Sequence, residues 1–256
     1  MQKIRLFINK KTIKINDEIT LDNSCQDFQY LATVMRRVIN DEISIFNGLE
    51  GDFAGKIIAL DKKKLTIKII QQTSKLSISS NINLAFSLIK KNEIIAIKAT
   101  ELGIVNFIPL ITNNSVIRNF NQNRFFLNIK EACEQSQRND IPKISDLQHL
   151  DKWLSKIDFN NKIYFFCDES GDSPKISHIF NNIKDKNQLY SKIAQCEIFI
   201  IIGPEGGFSC EEKKIAQDLT LKNKYFFNSI SLGKQILRAE TAAIVAIAII
   251  KEIFNN

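Results

Sequence analysis

At 256 residues, 44% hydrophobic and 25% charged, the chain is long enough for a small domain beside a larger one and too apolar to be disordered. Its net charge of +7 suits a polyanionic partner, although a chain this rich in Lys, Ile and Asn would be basic from composition as well. The 5 cysteines are scattered and the 2 histidines lie far from any matching ligand spacing, which argues against a disulfide framework and against a metal site.

The first seventy or so residues are β-rich. Residues 3–9, 42–46 and 55–60 are short β-type runs, and 64–71 alternates apolar with polar. Turn signals divide them at Asn47-Gly48, Glu50-Gly51 and the charge cluster 61–64. A helix is predicted over 26–38, ending in Arg36-Arg37. That pair is either a solvated helix end or a phosphate contact. Residues 72–83, rich in Ser and Asn, read as a linker.

From Leu84 the pattern alternates. Strands are predicted at 84–89, 105–110, 163–167, 197–202 and 224–228, with helices at 93–102, 124–138 and 236–254. Such alternation makes an α/β fold with a largely parallel sheet and helices on both faces. Ligands of such sheets bind beyond the carboxyl ends of the strands. The most apolar stretch, 242–250, is too short to cross a bilayer, and the first residues contain no apolar run. A cytoplasmic protein with no membrane partner is expected.

The chain has 9 glycines and 4 prolines, and Gly203, Pro204, Gly206, Gly207 and Gly233 fall close together. Ser209 and Glu212 fit a capping box, so 203–208 is a loop between a buried strand and a helix N-terminus. Neither the Walker nor the dinucleotide pattern is present, and Glu205 would repel a polyphosphate. A cationic ligand suits it better, though Glu205 could also simply cap a turn. After the strand 224–228 a second Gly-containing loop feeds an apolar helix whose first turns hold Arg238, Glu240 and Thr241.

These residues carry a resemblance. GPEGGFS at 203–209 and LGKQILRAETA at 232–242 resemble the carboxyl-terminal signature of the SPOUT methyltransferases, specifically the RsmE-type enzymes. IKATELGIVNFIPL at 97–110 and EACEQSQRNDIP at 131–142 resemble two further motifs of that family, and VMRRVINDEISIFNG at 34–48 is similar to the start of its PUA-like domain. Three positions depart from the pattern. Asn113-Asn114-Ser115 replaces an Arg-Ser, Lys234-Gln235 replaces a Pro-Arg, and Gln29-Tyr30 occupies the region of a usual His.

The resemblance implies a PUA-like β-barrel RNA-binding domain over 1–72 and a SPOUT methyltransferase domain with a trefoil-knotted parallel sheet over 73–256. It also implies a homodimer that uses S-adenosylmethionine to methylate N3 of a uridine in 16S rRNA, with the assembled small ribosomal subunit as partner and no metal. Two rivals are a SPOUT enzyme acting on tRNA ribose or a guanine, and a non-catalytic RNA-binding assembly factor. Carried over by position, the cofactor is held by Gly203, Pro204, Glu205, Gly206, Gly207, Leu232, Gly233, Ile236, Leu237 and Arg238. Methylating uracil N3 requires a proton acceptor, stabilisation of charge on the base oxygens, or both. Arg138 and Arg238 are candidates for the charge, and Glu101 and Glu240 for the proton. Arg138 has a structural alternative as the helix partner of Glu134. Arg238 could instead contact RNA phosphate, beside Arg36, Arg37 and Lys234. Phe208 is available to stack on a splayed base.

Overall fold

A computed structural model describes residues 4–181, 195–223 and 225–254. Lys3 and Lys224, the first residues of two expected strands, lie outside them. The chain forms two compact units, one of residues 1–79 with 130–141, the other of 80–129 with 142–256.

The smaller unit is built on a five-stranded curled sheet of β1 (Arg5–Phe7), β2 (Glu18–Asp22), β3 (Glu42–Phe46), β4 (Gly51–Leu60) and β5 (Lys64–Lys75), in the order β1-β3-β4-β5-β2. All neighbours are antiparallel except β1 and β3. Three register shifts between β4 and β5 let that long pair bend. Leu6, Ile43, Ile45, Ile57, Leu65 and Ile67 fill the concave side. β2 escaped the sequence reading, yet Ile19 and Leu21 alternate with outward Glu18, Thr20 and Asp22 as a half-buried strand must. The stretch taken for a linker is partly strand, because β5 continues to Lys75.

The helix predicted over 26–38 is two short pieces. α1 (Gln26–Gln29) passes into a π-helical turn, Tyr30–Val34, closed by Met35 N–H on the Tyr30 carbonyl. Arg36 then takes a left-handed backbone conformation, which no helix can continue. Arg36 is exposed, and Arg37 lies 3.6 Å from Asp41.

Residues 130–141 join this unit through polar contacts. Glu134 accepts the Phe7 N–H at 2.9 Å, and the Asn139 amide donates to Asp52 at 2.9 Å and to the Lys75 carbonyl at 3.0 Å. Arg138 is buried and grips Asp140 through two hydrogen bonds, Nε–Oδ1 at 3.0 Å and Nη2–Oδ2 at 2.7 Å. Its ion-pair partner is thus Asp140 and not Glu134, because the backbone leaves helical geometry at Gln137 and redirects the guanidinium. Ser79 adds Oγ–Oδ1 and N–Oδ2 bonds to the same carboxylate.

The larger unit holds a parallel sheet of β6 (Ile82–Ser87), β7 (Asn106–Ile111), β8 (Lys143–Ile144), β9 (Gln148–His149), β10 (Lys162–Cys167), β11 (Glu197–Ile202) and β12 (Phe227–Ile230). The order is β12-β10-β11-β6-β7-β8, with β9 also on β7. Helices α2 (Asn92–Glu101), α3 (Gln122–Ser136), α4 (Leu150–Leu154), α5 (Ile176–Asn181), α6 (Cys210–Lys222) and α7 (Ala239–Phe254) connect the strands. Residues alternate between two apolar faces. Tyr164, Phe166, Phe199, Ile201 and Phe227 form one with Leu150, Leu154 and Ala216 from α4 and α6. On the other, Phe165 stacks on Phe254 of α7, and Phe86 and Phe107 meet Phe125 of α3. Each buried aromatic contributes about 1.5–3 kcal/mol.

The Arg138–Asp140 pair generates a stability prediction. Burial raises the Asp140 carboxyl pKa, but the hydrogen-bonded guanidinium and Ser79 outweigh it and hold the group below its ordinary value of 3.8. The pair therefore contributes fully above that value and its contribution is lost as pH falls through the lower folded-state pKa. Asp140→Ala leaves a buried guanidinium without its carboxylate and should cost about 3 kcal/mol at neutral pH in urea unfolding. The gap between wild type and variant should narrow in acid; a pH-independent gap would show that the charge is not what matters.

Candidate active site

Strands β10, β11 and β12 end at one level, since Cys167 is in register with Ile202 on one side and with Ile230 on the other. Beyond them the chain makes three neighbouring loops, which follow β10, β11 and β12. They line a cleft of about 50 Å³, open to solvent and roofed on one side by the start of α7.

Six residues expected at a cofactor line this cleft: Gly203, Pro204, Leu232, Gly233, Ile236 and Leu237. Glu205, Gly206, Gly207 and Arg238 lie on the same two loops but not in the lining. The sequence reading missed Asp168 and Glu169 after β10, and Ala239 and Ala242 on one face of α7, all of which line it. The two alanines were legible only as apolar helix residues. The acidic pair was visible as a turn after a strand, but nothing local placed β10 between β11 and β12.

The first glycine loop is held from several sides. A Cβ at Gly203 would come within 2.9 Å of the Phe208 ring, which packs into the core against Phe166 at 4.0 Å between centroids. Phe208 is therefore a buried anchor and is not available to stack on a base. Gly207 has φ +71°, and a Cβ there would meet Glu169 Oε1 at 2.4 Å. Ser209 caps α6 and the capping box with Glu212 forms as expected. Glu212 does more, because only 3% of it is exposed and its second oxygen accepts the Asn113 N–H at 2.8 Å. Asn113 donates to Ser209 Oγ at 3.0 Å, and Asn114 to the Gly207 carbonyl at 3.0 Å. The segment that departs from the family pattern is thus the brace of the glycine loop. Ser115 closes it inward, with its hydroxyl in a buried cluster with Ser87 and Thr112.

Charge at the rim is organised around Lys213 of α6, 2.6 Å from Glu169 and 3.6 Å from Asp168. The hydrogen bond to Glu169 raises the Lys213 pKa above its ordinary value and both carboxylates reinforce it, so the ammonium is firmly charged. Burial raises the Asp168 pKa, but bonds from Ser170 and Ser173, with Lys213, bring it below the ordinary range. The Cys167 thiol at the cleft is pushed up by burial and stays protonated, which excludes it as a thiolate nucleophile.

The remaining candidates are dispersed. Arg238 is exposed and precedes α7, which begins at Ala239 and not at Ile236; its carbonyl accepts the Ala242 N–H at 2.8 Å. Glu240 occupies the first turn of α7, where the helix dipole favours a carboxylate. Lys234 is exposed on the second glycine loop. Glu101 ends α2, with Lys98 Nζ 2.9 Å from each of its oxygens, and is not part of the cleft lining. Arg138 belongs to the smaller unit and is committed to Asp140. No cluster of metal-ligating side chains occurs among the described residues. No helix among them is long and apolar enough to cross a membrane.

Residues 76–251 match the RNA methyltransferase domain family, and 24–70 match the RNA methyltransferase PUA domain. The ribosomal RNA small subunit methyltransferase E of Rickettsia conorii is 35% identical over 97% of this chain and 95% of its own. The chain belongs to this methyltransferase family. The Bacillus subtilis member is 26% identical over 96% of this chain and 95% of its own. Among solved structures, a Legionella pneumophila methyltransferase in complex with the cofactor SAM is 25% identical, with a TM-score of 0.78 and 98% of both chains covered. The Neisseria gonorrhoeae ribosomal RNA small subunit methyltransferase E has the same fold, with TM-score 0.78 at 23% identity over 99% of this chain and 98% of its own. The family accounts for the two units as a parallel-sheet SPOUT-type domain and a PUA-like curled sheet.

If Glu212 braces the loop, Glu212→Ala should lower stability by about 2 kcal/mol, since it strips a helix cap and a partner from buried N–H groups. Hydrogen exchange should quicken at the Asn113 and Ser209 amides. Unchanged protection there would mean that the carboxylate is dispensable to the loop.

Proposed function

We propose that this protein transfers a methyl group from S-adenosylmethionine to N3 of a uridine in 16S rRNA, working on the small ribosomal subunit in the cytoplasm as a homodimer. The observation that carries the reading is the cleft at the ends of β10, β11 and β12, formed by the family's two glycine loops.

The cleft has the character the cofactor requires. Ile202, Leu237, Ala239 and Ala242 supply an apolar slot for a flat purine. The main chain from 234 to 237 lies outside helix and strand, where its polar groups would meet the edge of a base. Asp168 and Glu169 offer carboxylate oxygens to hydroxyls of a ribose. Bound there, S-adenosylmethionine supplies an electrophilic methyl carbon on a positively charged sulfur. The SAM-bound Legionella relative supports this assignment. Cys167 in the same lining is held as the neutral thiol by burial, so it does not compete for the methyl group as a thiolate. The loops after β11 and β12 are those that a trefoil knot of this family would thread, and the knot belongs to the same proposal.

For the base, Arg238 and Glu240 are the candidates beside the cleft. The Arg238 guanidinium, exposed ahead of α7, would hold charge that develops on the uracil oxygens. Glu240 would take the N3 proton. Arg138, locked to Asp140, would act in the same reaction only by shaping the smaller unit, and Glu101 only by giving up its Lys98 partner. Arg36, Arg37 and Lys234 supply positive charge for RNA phosphate, in keeping with the net charge of +7.

The test is to incubate the protein with S-adenosylmethionine and 30S subunits and map modified nucleosides by mass spectrometry. N3-methyluridine in 16S rRNA is expected. Methylated ribose, methylated guanine, or no product in the presence of bound cofactor would each remove the reading. Arg238→Ala should abolish methylation, by at least about a hundredfold, with the unfolding transition unchanged; near-normal turnover would take Arg238 out of the site.

A further inference from the structure

Two acids follow β10 into the lining of the cleft, and they are not equivalent. Asp168 is committed to its own loop. Its Oδ1 accepts the Ser170 N–H at 3.0 Å, and its Oδ2 accepts the hydroxyls of Ser170 at 2.7 Å and Ser173 at 3.1 Å. Glu169 is the less committed of the two. Lys213 Nζ lies 2.6 Å from its Oε1, and its Oε2 has no donor among the described residues.

The Glu169 carboxylate lies in a notch of the glycine loop. A Cβ at Gly207 would clash with Oε1 and lie 2.9 Å from Cδ, so the carboxylate occupies the place of the missing side chain. Lys213 holds it there from the other side. The backbone of Lys213 is fixed on the first turn of α6, where its N–H donates to the Ser209 carbonyl at 2.9 Å, next to the buried Glu212. Lys213 is not in the cleft lining, so its effect on a ligand there passes through the acids. Without the ammonium the Glu169 side chain, already 32% exposed, gains freedom by turning to solvent.

Two negative charges in the lining, with one positive charge behind them, favour a cation in the cleft. S-adenosylmethionine and the product it leaves, S-adenosylhomocysteine, share adenine, ribose and amino acid. They differ by the methyl group and by one positive charge on sulfur, which the thioether lacks. A carboxylate held at the cleft therefore separates the two by charge, whereas a distorted cleft would weaken both alike.

We propose that Lys213 is a positioning residue, which holds the Glu169 carboxylate in the Gly207 notch so that the cleft prefers the cationic methyl donor to its neutral product. The inference rests on the reading of the cleft as the S-adenosylmethionine site, and it adds to that reading a means of releasing the product.

The test is titration calorimetry of the full chain with S-adenosylmethionine and with S-adenosylhomocysteine at low ionic strength, read as the ratio of the two affinities. Glu169→Gln keeps the shape and removes the charge, and should lower the preference for the donor about fivefold. Lys213→Met removes a positive charge, so through-space electrostatics alone would raise that preference. Release of Glu169 should instead lower it, by about threefold, and Lys213→Arg should keep the wild-type ratio. An unmoved ratio in Glu169→Gln would overturn the proposal whether or not Lys213→Met folds. So would a Lys213→Met ratio that rises, or one that stays constant while both ligands weaken, the mark of a merely structural pair. Failure of the wild type to bind either ligand would strike the cofactor reading and this proposal with it, whereas binding with an unmoved ratio strikes the proposal alone.

Discussion

Parallel register between β10 and its two neighbours is the constraint from which the rest of the larger unit follows. Because Cys167, Ile202 and Ile230 sit side by side, three loops distant in sequence leave the sheet at one level and enclose a common space. The pairing is held by apolar burial on both faces of the sheet, with aromatic rings on one side and α7 on the other. A slip of one residue would turn Tyr164 and Phe166 away from their face and stagger the loops. The cleft is thus a product of the core.

Around it, polar groups are used where apolar packing cannot specify a loop. Glu212 is nearly inaccessible and accepts from Ser209 and Asn113 together, so one side chain starts α6 and positions the chain leaving β7. Asn114 completes the brace from the other side. Lys213, one residue on, gathers the two acids that follow β10. The beginning of α6 therefore connects all three edges of the glycine loop, which explains why 203–209 needs both close-approach glycines and a capping box.

The smaller unit follows a different rule. Its sheet bends at the shifts between β4 and β5, and its polar stitching is supplied by 130–141, which the chain reaches only after starting the larger unit. Arg138 and Asp140 form a buried charged pair inside that stitching, and Arg5 and Asp52 a partly buried one beside it. A buried pair holds one geometry strictly, because separating either partner leaves a charge without water.

Local pattern by itself determined much of this protein. Alternation marked most strands to within a few residues, β3 and β11 among them, and Ser209 with Glu212 announced the start of α6. The glycine cluster and its motifs pointed to two of the loops that line the cleft and to the family. These features depend on neighbours in sequence, through side-chain period, capping and turn chemistry, and so they are written locally. Tertiary structure decided the rest. The insertion of β10 between β11 and β12 brought Asp168 and Glu169 to the cleft, the turn at Gln137 gave Arg138 to Asp140, and the core claimed Phe208. Asn113 and Asn114, read as departures, became a brace. Each of these outcomes depends on which residues distant in the chain become neighbours, and that is settled by packing.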